Sequence, residues 1–287
     1  MMPERSTQKG TKKGREKGKA KASHSFPGEA RRVEVIAHRG LSARAPENTL
    51  SAIRAAIEGG ADRVEFDVLI SRDGVPVVIH DADLDRTTDG KGPVAALNIE
   101  QLRRLDAGRW FHPRFAGERV PTLDEALDLC RGRISVNVEV KGEAVRPGAR
   151  NEPKGVEARI VEAVRRRAME AVTVVSSFEP LALERFRVLA PEIVRQSLYE
   201  PARHRGLGPA DVCRAVAARA FNCSKDEVNA AWIDEAHRAG LKINVYTVDE
   251  PQEFEDLIRQ GVDGIFTNRA DGMLELLGRR SETQASR

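Results

Sequence analysis

The sequence predicts an α/β fold whose parallel strands close into a (β/α)8 barrel. Two observations favour this class. From Arg32 onward, short β-branched runs alternate with longer amphipathic stretches, the rhythm of repeated βα units around a parallel sheet. The length of 287 residues also suits one barrel, because α/β barrels commonly exceed the usual domain size without splitting. We expect this domain to span residues 32–279.

The strand and helix candidates alternate along the chain, with one strand more than an ideal barrel needs. The Asp73-Gly74 turn joins two strands without a helix, so the pairing of the extra strand stays open. The strand candidates are 33–37, 63–70, 76–80, 134–140, 172–176, 193–198, 219–222, 241–247 and 262–266. The helix candidates are 48–59, 122–131, 155–170, 179–190, 209–218, 226–239, 251–260 and 270–278.

Several helices carry end signals. Asn48 and Thr122 are expected to cap the free N–H groups of a first turn, and Glu125 stands at capping-box spacing after Thr122. Gly60 and Gly240 suit helix C-termini. Residues 82–121 are rich in turn formers and lack a clear period, which predicts an inserted segment near the mouth of the barrel.

Residues 1–31 differ from the rest in composition. Of the 47 basic and 44 acidic residues of the chain, eight and two lie in residues 1–25, so the excess basic charge belongs to this tail. The tail is rich in Lys, Gly and Ser without apolar periodicity, which predicts disorder. We expect a solubilising arm, with weak contact to a polyanion or an anionic membrane as the alternative. Residues 280–287 are predicted to form a flexible C-terminal tail.

Hydropathy and cysteine usage indicate the compartment. No segment reaches the roughly eighteen apolar residues of a membrane helix, and the N-terminus lacks the apolar stretch of a signal peptide. We therefore predict a cytoplasmic protein with no transmembrane segment. The three cysteines form no C-x-x-C pair and leave an odd count, which favours reduced thiols over a disulfide or zinc framework.

Three carboxylates occur within strand candidates. Glu65 and Asp67, at i and i+2, project to the same face of a regular strand. Glu139 lies in a strand whose other face is valine. Like charges facing one cavity need a cation, and oxygen ligands favour a hard ion such as Mg²⁺ or Ca²⁺. The alternative is that each carboxylate pairs with a basic residue.

Two histidines stand where strand candidates end. His38 and His80 can act as an acid/base pair, because an unperturbed imidazole titrates near neutral pH. A single histidine after a strand is more often structural, so the pair carries the argument. Arg39 can fork onto phosphate oxygens, and Lys141 can add a point charge. Tyr246 either walls a pocket or belongs to the core.

Short motifs follow one another in order across residues 33–278. They are His38-Arg39-Gly40, Pro46-Glu47-Asn48-Thr49, Gly60-Ala61-Asp62, Glu65-Phe66-Asp67, Asp73-Gly74, His80-Asp81, Leu84-Asp85-Arg86-Thr87-Thr88, Pro121-Thr122-Leu123, Glu139-Val140-Lys141 and Gly261-Val262-Asp263-Gly264-Ile265-Phe266-Thr267. In these motifs the sequence resembles the glycerophosphodiester phosphodiesterase family. So many ordered matches are more specific than any one of them.

The resemblance implies a distorted TIM (β/α)8 barrel with a small insertion after the second histidine motif. It implies metal-dependent cleavage of a glycerophosphodiester to glycerol 3-phosphate and an alcohol, with water or the substrate's own hydroxyl as nucleophile. By position, the expected roles are acid/base catalysis for His38 and His80, metal binding (Mg²⁺ or Ca²⁺) for Glu65, Asp67 and Glu139, and substrate contact for Arg39, Lys141 and Tyr246.

The sequence departs from the family pattern at two places. The family often has Trp where Tyr246 stands, and commonly an Asp with a nearby Pro where this chain reads Thr267-Asn268-Arg269-Ala270. These changes bear on the choice of substrate. The alternatives are a lysophospholipase D acting on lysolipids, which needs an apolar groove, and a noncatalytic barrel that binds phosphate ligands.

Overall fold

Eight parallel strands close into a barrel in the computed structural model of the chain, which describes residues 32–147 and 155–279. The strands are β1 (Glu34–Ala37), β2 (Arg63–Ile70), β3 (Pro76–Val78), β4 (Ser135–Val140), β5 (Thr173–Ser177), β6 (Val194–Leu198), β7 (Ala220–Ser224), β8 (Lys242–Tyr246) and β9 (Gly264–Thr267). The parallel order runs β1, β9, β8, β7, β6, β5, β4, β2, and the pairing of β1 with β2 closes the ring. The predicted barrel is confirmed.

The extra strand is β3, which pairs antiparallel with β2 as a hairpin and takes no place in the parallel ring. The turn between them is tied by the hydrogen bond from Gly74 N–H to Ser71 O. The sequence left this pairing open because a hairpin turn and a βα connection both need turn-forming residues.

Helices follow the barrel strands and cover their outer faces. They are α1 (Leu50–Gly59), α2 (Ile99–Leu102), α3 (Leu123–Cys130), α4 (Val156–Arg165), α5 (Pro180–Leu189), α6 (Pro201–His204), α7 (Pro209–Val216), α8 (Ala230–Arg238), α9 (Pro251–Gln260) and α10 (Ala270–Leu276). The short helices α2 and α6 were not predicted, because a single helical turn is too short to show a repeat of apolar residues.

The alternation of residues along the strands separates two environments. On β2, Val64, Phe66 and Val68 point outward into the hydrophobic core under the helices, whereas Glu65 and Asp67 point into the barrel. The interior also holds a chain of amides: Asn244 Nδ2 donates to Asn222, and Asn222 Nδ2 donates to Gln196, at 2.9 and 3.0 Å. The barrel interior is therefore unusually polar, and its upper layer carries the site.

A buried ion pair joins two of the outer helices. Arg185 of α5 and Glu157 of α4 are both fully buried, and Arg185 Nη1 lies 2.9 Å from Glu157 Oε1. Removing one partner of such a pair costs about 3–5 kcal/mol, since the other charge is left uncompensated.

The predicted cap at Asn48 is wrong. The N-cap of α1 is Thr49, whose extended backbone lets Oγ1 accept from Ala52 N–H, whereas Asn48 has φ +58°. A residue in the left-handed region cannot provide N-cap geometry. The predicted capping box of Thr122 and Glu125 is confirmed at the start of α3, and Gly60 ends α1 in the left-handed conformation.

Residues 82–121 contain α2 and two short 3-10 segments, Val94–Ala96 and Pro113–Phe115, between β3 and α3. The boundaries of this insertion and of the domain at 32–279 stay predictions. The predicted tails at 1–31 and 280–287 lie outside the described residues. Within the part of the chain that the structure describes, no helix is long and apolar enough to cross a membrane.

Candidate active site

Three carboxylates meet at the carboxyl ends of neighbouring strands. The register of β2 and β4 places Asp67 opposite Glu139, with Glu65 one pleat lower on β2. One oxygen from each of the three carboxylates lies within 4.8 Å of the others. The sequence predicted the shared face of Glu65 and Asp67 from their spacing, and parallel pairing with β4 brings in Glu139.

Two cationic side chains surround Asp67. Lys141 Nζ lies 2.8 Å from Glu139 Oε1 and 3.5 Å from Asp67 Oδ1. On the other side, Arg39 Nε lies 3.3 Å from Asp67 Oδ2. Burial alone would raise the pKa of Asp67, but Lys141 and Arg39 hold it below its usual range. Asp67 is therefore the ionised centre of the cluster.

Glu65 has less compensation. Its Oε2 accepts from the backbone N–H of Arg39 at 2.8 Å, while its buried Oε1 has no hydrogen-bond partner among the described residues. Burial, with repulsion from Asp67 and Glu139, raises the pKa of Glu65 well above its usual value. An unsatisfied carboxylate oxygen in an all-oxygen cluster suits a hard divalent cation, so the residues fit such an ion.

Backbone strain sets the direction of Arg39. This residue has φ +56°, a conformation that non-glycine residues rarely adopt, and it is followed by Gly40 at φ +83°. A Cβ at Gly40 would lie 2.5 Å from the backbone of Ala52, so only glycine lets the loop approach α1 this closely. The strained turn points the N–H of Arg39 at Glu65 and its guanidinium at Asp67.

His38 follows β1 and is partly buried. Its Nδ1 lies 2.9 Å from Oδ1 of Asn268, which follows the adjacent strand β9. Burial and the nearby Arg39 lower the pKa of His38 to about 4, with Asp67 opposing the shift. The ring is therefore neutral at physiological pH, with Nδ1 engaged and Nε2 available.

His80 follows β3 and has a different partner. Its Nδ1 lies 2.6 Å from Oδ1 of Asp81, and Arg86 Nε donates to Asp81 Oδ2 at 2.6 Å. Arg86, with some help from His80, lowers the pKa of Asp81 to about 2. The His80 ring therefore contacts a carboxylate that is ionised at neutral pH.

Arg86 also connects the insertion to the first loop. Its two terminal nitrogens each donate to Glu47 at 2.8 Å, and Glu47 Oε1 also accepts from Arg39 Nη1 at 2.8 Å. Charged contacts therefore run from His80 through Asp81, Arg86 and Glu47 to Arg39. Glu47 and Arg86 were missed as site residues, because Glu47 reads as a helix start and Arg86 lies in a segment without a clear period.

Asn48 is a further residue that the sequence placed elsewhere. Its Nδ2 donates to Asp67 Oδ2 at 2.8 Å, and its Oδ1 accepts from the Asp67 backbone N–H at 3.1 Å. This two-way contact fixes the Asp67 carboxylate. No periodicity could have found it, since it depends on the left-handed backbone of Asn48.

Tyr246 ends β8 on the same side of the barrel. Its hydroxyl donates to Tyr199 O at 3.0 Å, and its ring packs edge-on against Phe178 and Phe266. Burial raises the pKa of the Tyr246 hydroxyl. The side chain is a partly buried apolar wall with its polar end engaged, which agrees with both roles that the sequence left open.

These groups match two chemical tasks. Both histidines lie close enough to Asp67 to interact with its charge, so the two histidines, the carboxylates and the cations converge at one end of the barrel. Carboxylates and cations suit a phosphate diester held beside a divalent ion, and imidazole nitrogens suit proton transfer.

Comparisons with known proteins agree with this geometry. The family model of the glycerophosphoryl diester phosphodiesterase family matches residues 38–272. A glycerophosphodiester phosphodiesterase of Caldanaerobacter subterraneus subsp. tengcongensis is 34% identical over 245 residues, which cover 85% of this chain and 97% of that protein.

Solved structures show the same fold. A glycerophosphodiester phosphodiesterase from Agrobacterium tumefaciens matches with a TM-score of 0.73 and 32% identity, covering 85% of this chain and all of that one. An Oleispira antarctica phosphodiesterase, solved in complex with the product sn-glycerol-3-phosphate, matches with a TM-score of 0.76 and 29% identity, covering 85% of this chain and 96% of that one.

Proposed function

Since the chain belongs to the glycerophosphoryl diester phosphodiesterase family and is an enzyme of that class, we propose that it hydrolyses glycerophosphodiesters to glycerol 3-phosphate and an alcohol. The observation that carries this proposal is the convergence of His38, His80, the three carboxylates and two cationic side chains on one end of the barrel. The product bound to the Oleispira antarctica relative supports the choice of substrate.

Glu65, Asp67 and Glu139 are the proposed metal ligands. A bound Mg²⁺ or Ca²⁺ supplies positive charge beside a phosphate oxygen. Arg39 and Lys141 already lie against these carboxylates, so their charge is available to the same phosphate. We propose that they bind and orient the diester, Arg39 through its fork and Lys141 as a point charge.

The two histidines divide the proton transfers. His38 is neutral, so its Nε2 accepts the proton of the attacking hydroxyl, whether that belongs to water or to the glycerol group of the substrate. The new P–O bond forms as the bond to the alcohol oxygen breaks, and His80 donates a proton to that oxygen. With water as the nucleophile, this step yields glycerol 3-phosphate directly. With the glycerol hydroxyl, it yields a cyclic phosphate, which water then opens to glycerol 3-phosphate as His80 accepts the proton of water and His38 returns its proton to the glycerol oxygen. Each such transfer contributes about 10²–10⁴ in rate. Tyr246 is proposed to line the pocket that receives the substrate.

The test is release of glycerol 3-phosphate from glycerophosphocholine by the purified protein with Mg²⁺, Ca²⁺ or EDTA. We expect metal-dependent release that is lost in Glu65→Gln. A matched control is Glu157→Gln, because Glu157 is also a buried glutamate but pairs with Arg185 between the outer helices α4 and α5. Both variants are assayed at a temperature at which circular dichroism shows them folded. No release with any ion, by folded protein, would overturn the proposal and direct the assay to lysolipids.

The compartment and the basic tail stay predictions. A cytoplasmic location and weak contact of residues 1–31 with polyanions or anionic membranes are consistent with the sequence alone. Deleting residues 1–25 is expected to leave kcat nearly unchanged, and a large loss would assign the tail a part in catalysis.

A further inference from the structure

We propose that Asp249 is a positioning residue for His38, acting through the side-chain amide of Asn268. This inference rests on the proposed function, in which His38 accepts a proton at Nε2. Asp249 lies between β8 and α9, contacts neither histidine directly, and belongs to none of the groups assigned to the metal or the phosphate.

The Asp249 carboxylate accepts three hydrogen bonds, two of them from Asn268 and one from Thr267. Its Oδ1 accepts from the backbone N–H of Asn268 at 2.8 Å and from Thr267 Oγ1 at 3.1 Å. Its Oδ2 accepts from Asn268 Nδ2 at 2.6 Å. The carboxylate therefore grips both the main chain and the side chain of Asn268, and the amide is held in one plane.

The carboxylate also decides which way the amide faces. An ionised carboxylate only accepts hydrogen bonds, so the NH₂ group of Asn268 must point at Asp249. Its Oδ1 must then point toward His38 at 2.9 Å and toward Ser42 Oγ at 2.7 Å. Ser42 has one hydroxyl proton, which it shares between Asn268 Oδ1 and the His38 carbonyl.

The amide oxygen in turn selects the tautomer of His38. A carbonyl oxygen only accepts, so the ring must carry its proton on Nδ1 and donate it to Asn268. Nε2 is then left with a lone pair, which is what a general base needs. Asp249 thus fixes the orientation of the Asn268 amide, the amide oxygen fixes the proton on His38 Nδ1, and Nε2 is left as the proton acceptor.

Loss of the Asp249 carboxylate removes the first of these choices. The Asn268 amide is then free to turn by half a rotation and to present NH₂ to Nδ1. That contact favours the other tautomer, with a proton on Nε2, where it blocks proton acceptance. The expected consequence is a lower kcat with little change in KM, because no group that touches the substrate has moved.

The sharpest test exchanges the carboxylate and the amide of the Asp249–Asn268 pair. In the double variant Asp249→Asn with Asn268→Asp, the new amide at 249 keeps an oxygen for the main-chain N–H and donates from the position of Oδ2. The new carboxylate at 268 accepts that bond and still accepts from His38. Every hydrogen bond is kept while the charge moves one step closer to the ring.

Each single variant breaks the pattern. In Asp249→Asn, the NH₂ group of the new amide faces the NH₂ group of Asn268, so neither can accept a hydrogen bond. In Asn268→Asp, two carboxylates face each other where the wild-type protein has a 2.6 Å hydrogen bond. We expect each single variant to lose about 10- to 100-fold in kcat, a part of the contribution of one general base. The double variant is expected to recover kcat to within a few-fold and to move the acidic limb of kcat/KM to higher pH.

The matched control is Asp263→Asn. Asp263 also contacts a histidine, His237 Nε2 at 2.9 Å, and a main-chain N–H, but at the amino end of β9 and not beside the candidate site. Its substitution is expected to leave kcat unchanged. Unchanged kcat in both single variants would overturn the proposal. So would a double variant whose Tm equals that of the wild-type protein but whose kcat does not recover.

A second readout separates this proposal from the proposed function. The ¹⁵N chemical shifts of the His38 ring report the tautomer directly, without turnover. We expect the Nδ1–H form in the wild-type protein and a mixture or the Nε2–H form in Asp249→Asn. An inactive wild-type protein with this tautomer change would refute the proposed substrate but support the positioning role, and an Nε2–H wild-type ring would refute the role itself.

Discussion

His38 follows the barrel strand β1 and His80 follows the hairpin strand β3, and their Nδ1 atoms contact opposite kinds of partner. His38 contacts the neutral amide of Asn268, whereas His80 contacts the carboxylate of Asp81, which Arg86 keeps ionised. An amide orients a ring without compensating positive charge, and a carboxylate does both. Under the proposed roles, the neutral amide beside His38 suits a proton acceptor, and the carboxylate beside His80 suits a proton donor.

The two surroundings also differ in where they come from. The partner of His38, Asn268, follows β9, and Asp249, which binds Asn268, follows β8; both strands belong to the parallel ring. The partners of His80 include Arg86 from the insertion, which reaches back to Glu47 in the first loop. The surroundings of His38 thus belong to the barrel scaffold, whereas those of His80 include a residue of the inserted segment.

Removing either histidine is expected to have the largest effect. His38→Ala and His80→Ala should each lower kcat for glycerophosphocholine by about 10³. With a p-nitrophenyl phosphodiester, whose leaving group needs no proton, His80→Ala should regain most of its activity and His38→Ala should not. Steady-state rates with both substrates measure this, and His237→Ala serves as the control. Equal recovery of activity in both variants with the p-nitrophenyl substrate would contradict the assignment of His80 as the proton donor.

The pH dependence sharpens the comparison at His38. Its pKa of about 4 lies below the value of 6.5 for a free histidine, so the ring stays neutral down to about pH 5. At pH 5 this leaves roughly 30 times more neutral base than an unperturbed histidine provides. We expect the acidic limb of kcat/KM near pH 4, read from a pH–rate profile; a limb at 6.5 would contradict the assignment.

The same pKa shift has a sign for stability. The folded state binds the His38 proton less readily than the unfolded state, so the free energy of unfolding decreases as pH falls from above 6.5 toward 4. Urea titrations at pH 7 and pH 5 measure the loss. The difference should shrink in His38→Gln, which has no proton to bind.

Asp81→Asn is expected to have an intermediate effect. The substitution gives His80 the kind of neutral partner that His38 has, and it removes the charge that stabilises a protonated ring. We expect a loss of about tenfold in kcat, a fraction of the contribution of a general acid. The alkaline limb of the pH profile of kcat should move to lower pH. An unmoved limb would show that Asp81 does not stabilise the proposed proton donor, His80.

Arg86→Leu is expected to have the smallest effect. Arg86 is an exposed residue that joins Asp81 to Glu47, and exposed ion pairs contribute about 0.2–1 kcal/mol. A fall in kcat of about two- to fivefold follows from these magnitudes. The matched control is Arg103→Leu, which removes a comparable arginine of the insertion that pairs with Glu125 instead.

Much of the barrel could be predicted because its strands are short β-branched runs separated by amphipathic helices. The shared face of Glu65 and Asp67 follows from a period of two. Asn268 escaped prediction because it lies 230 residues from His38, and no local pattern reports such a contact. Asn48 was assigned to a cap since both it and Thr49 are good capping residues, and only the backbone angles distinguish them.

The polar interior could not have been predicted either. Gln196, Asn222 and Asn244 lie on three different strands, and a single amide in a strand carries no pattern. Their relation appears only when parallel pairing sets Gln196, Asn222 and Asn244 on neighbouring strands.

The contact between His38 and Asn268 spans the seam where the first and last barrel strands join. Closing that seam brings together the two ends of the domain, and among the strand pairings of the described residues it spans the greatest sequence separation, which raises its entropic cost. During refolding, secondary structure can form before the seam does, but His38 acquires its orientation only afterwards. Recovery of turnover should therefore lag behind recovery of helix, and the enzyme would report the completion of its own folding.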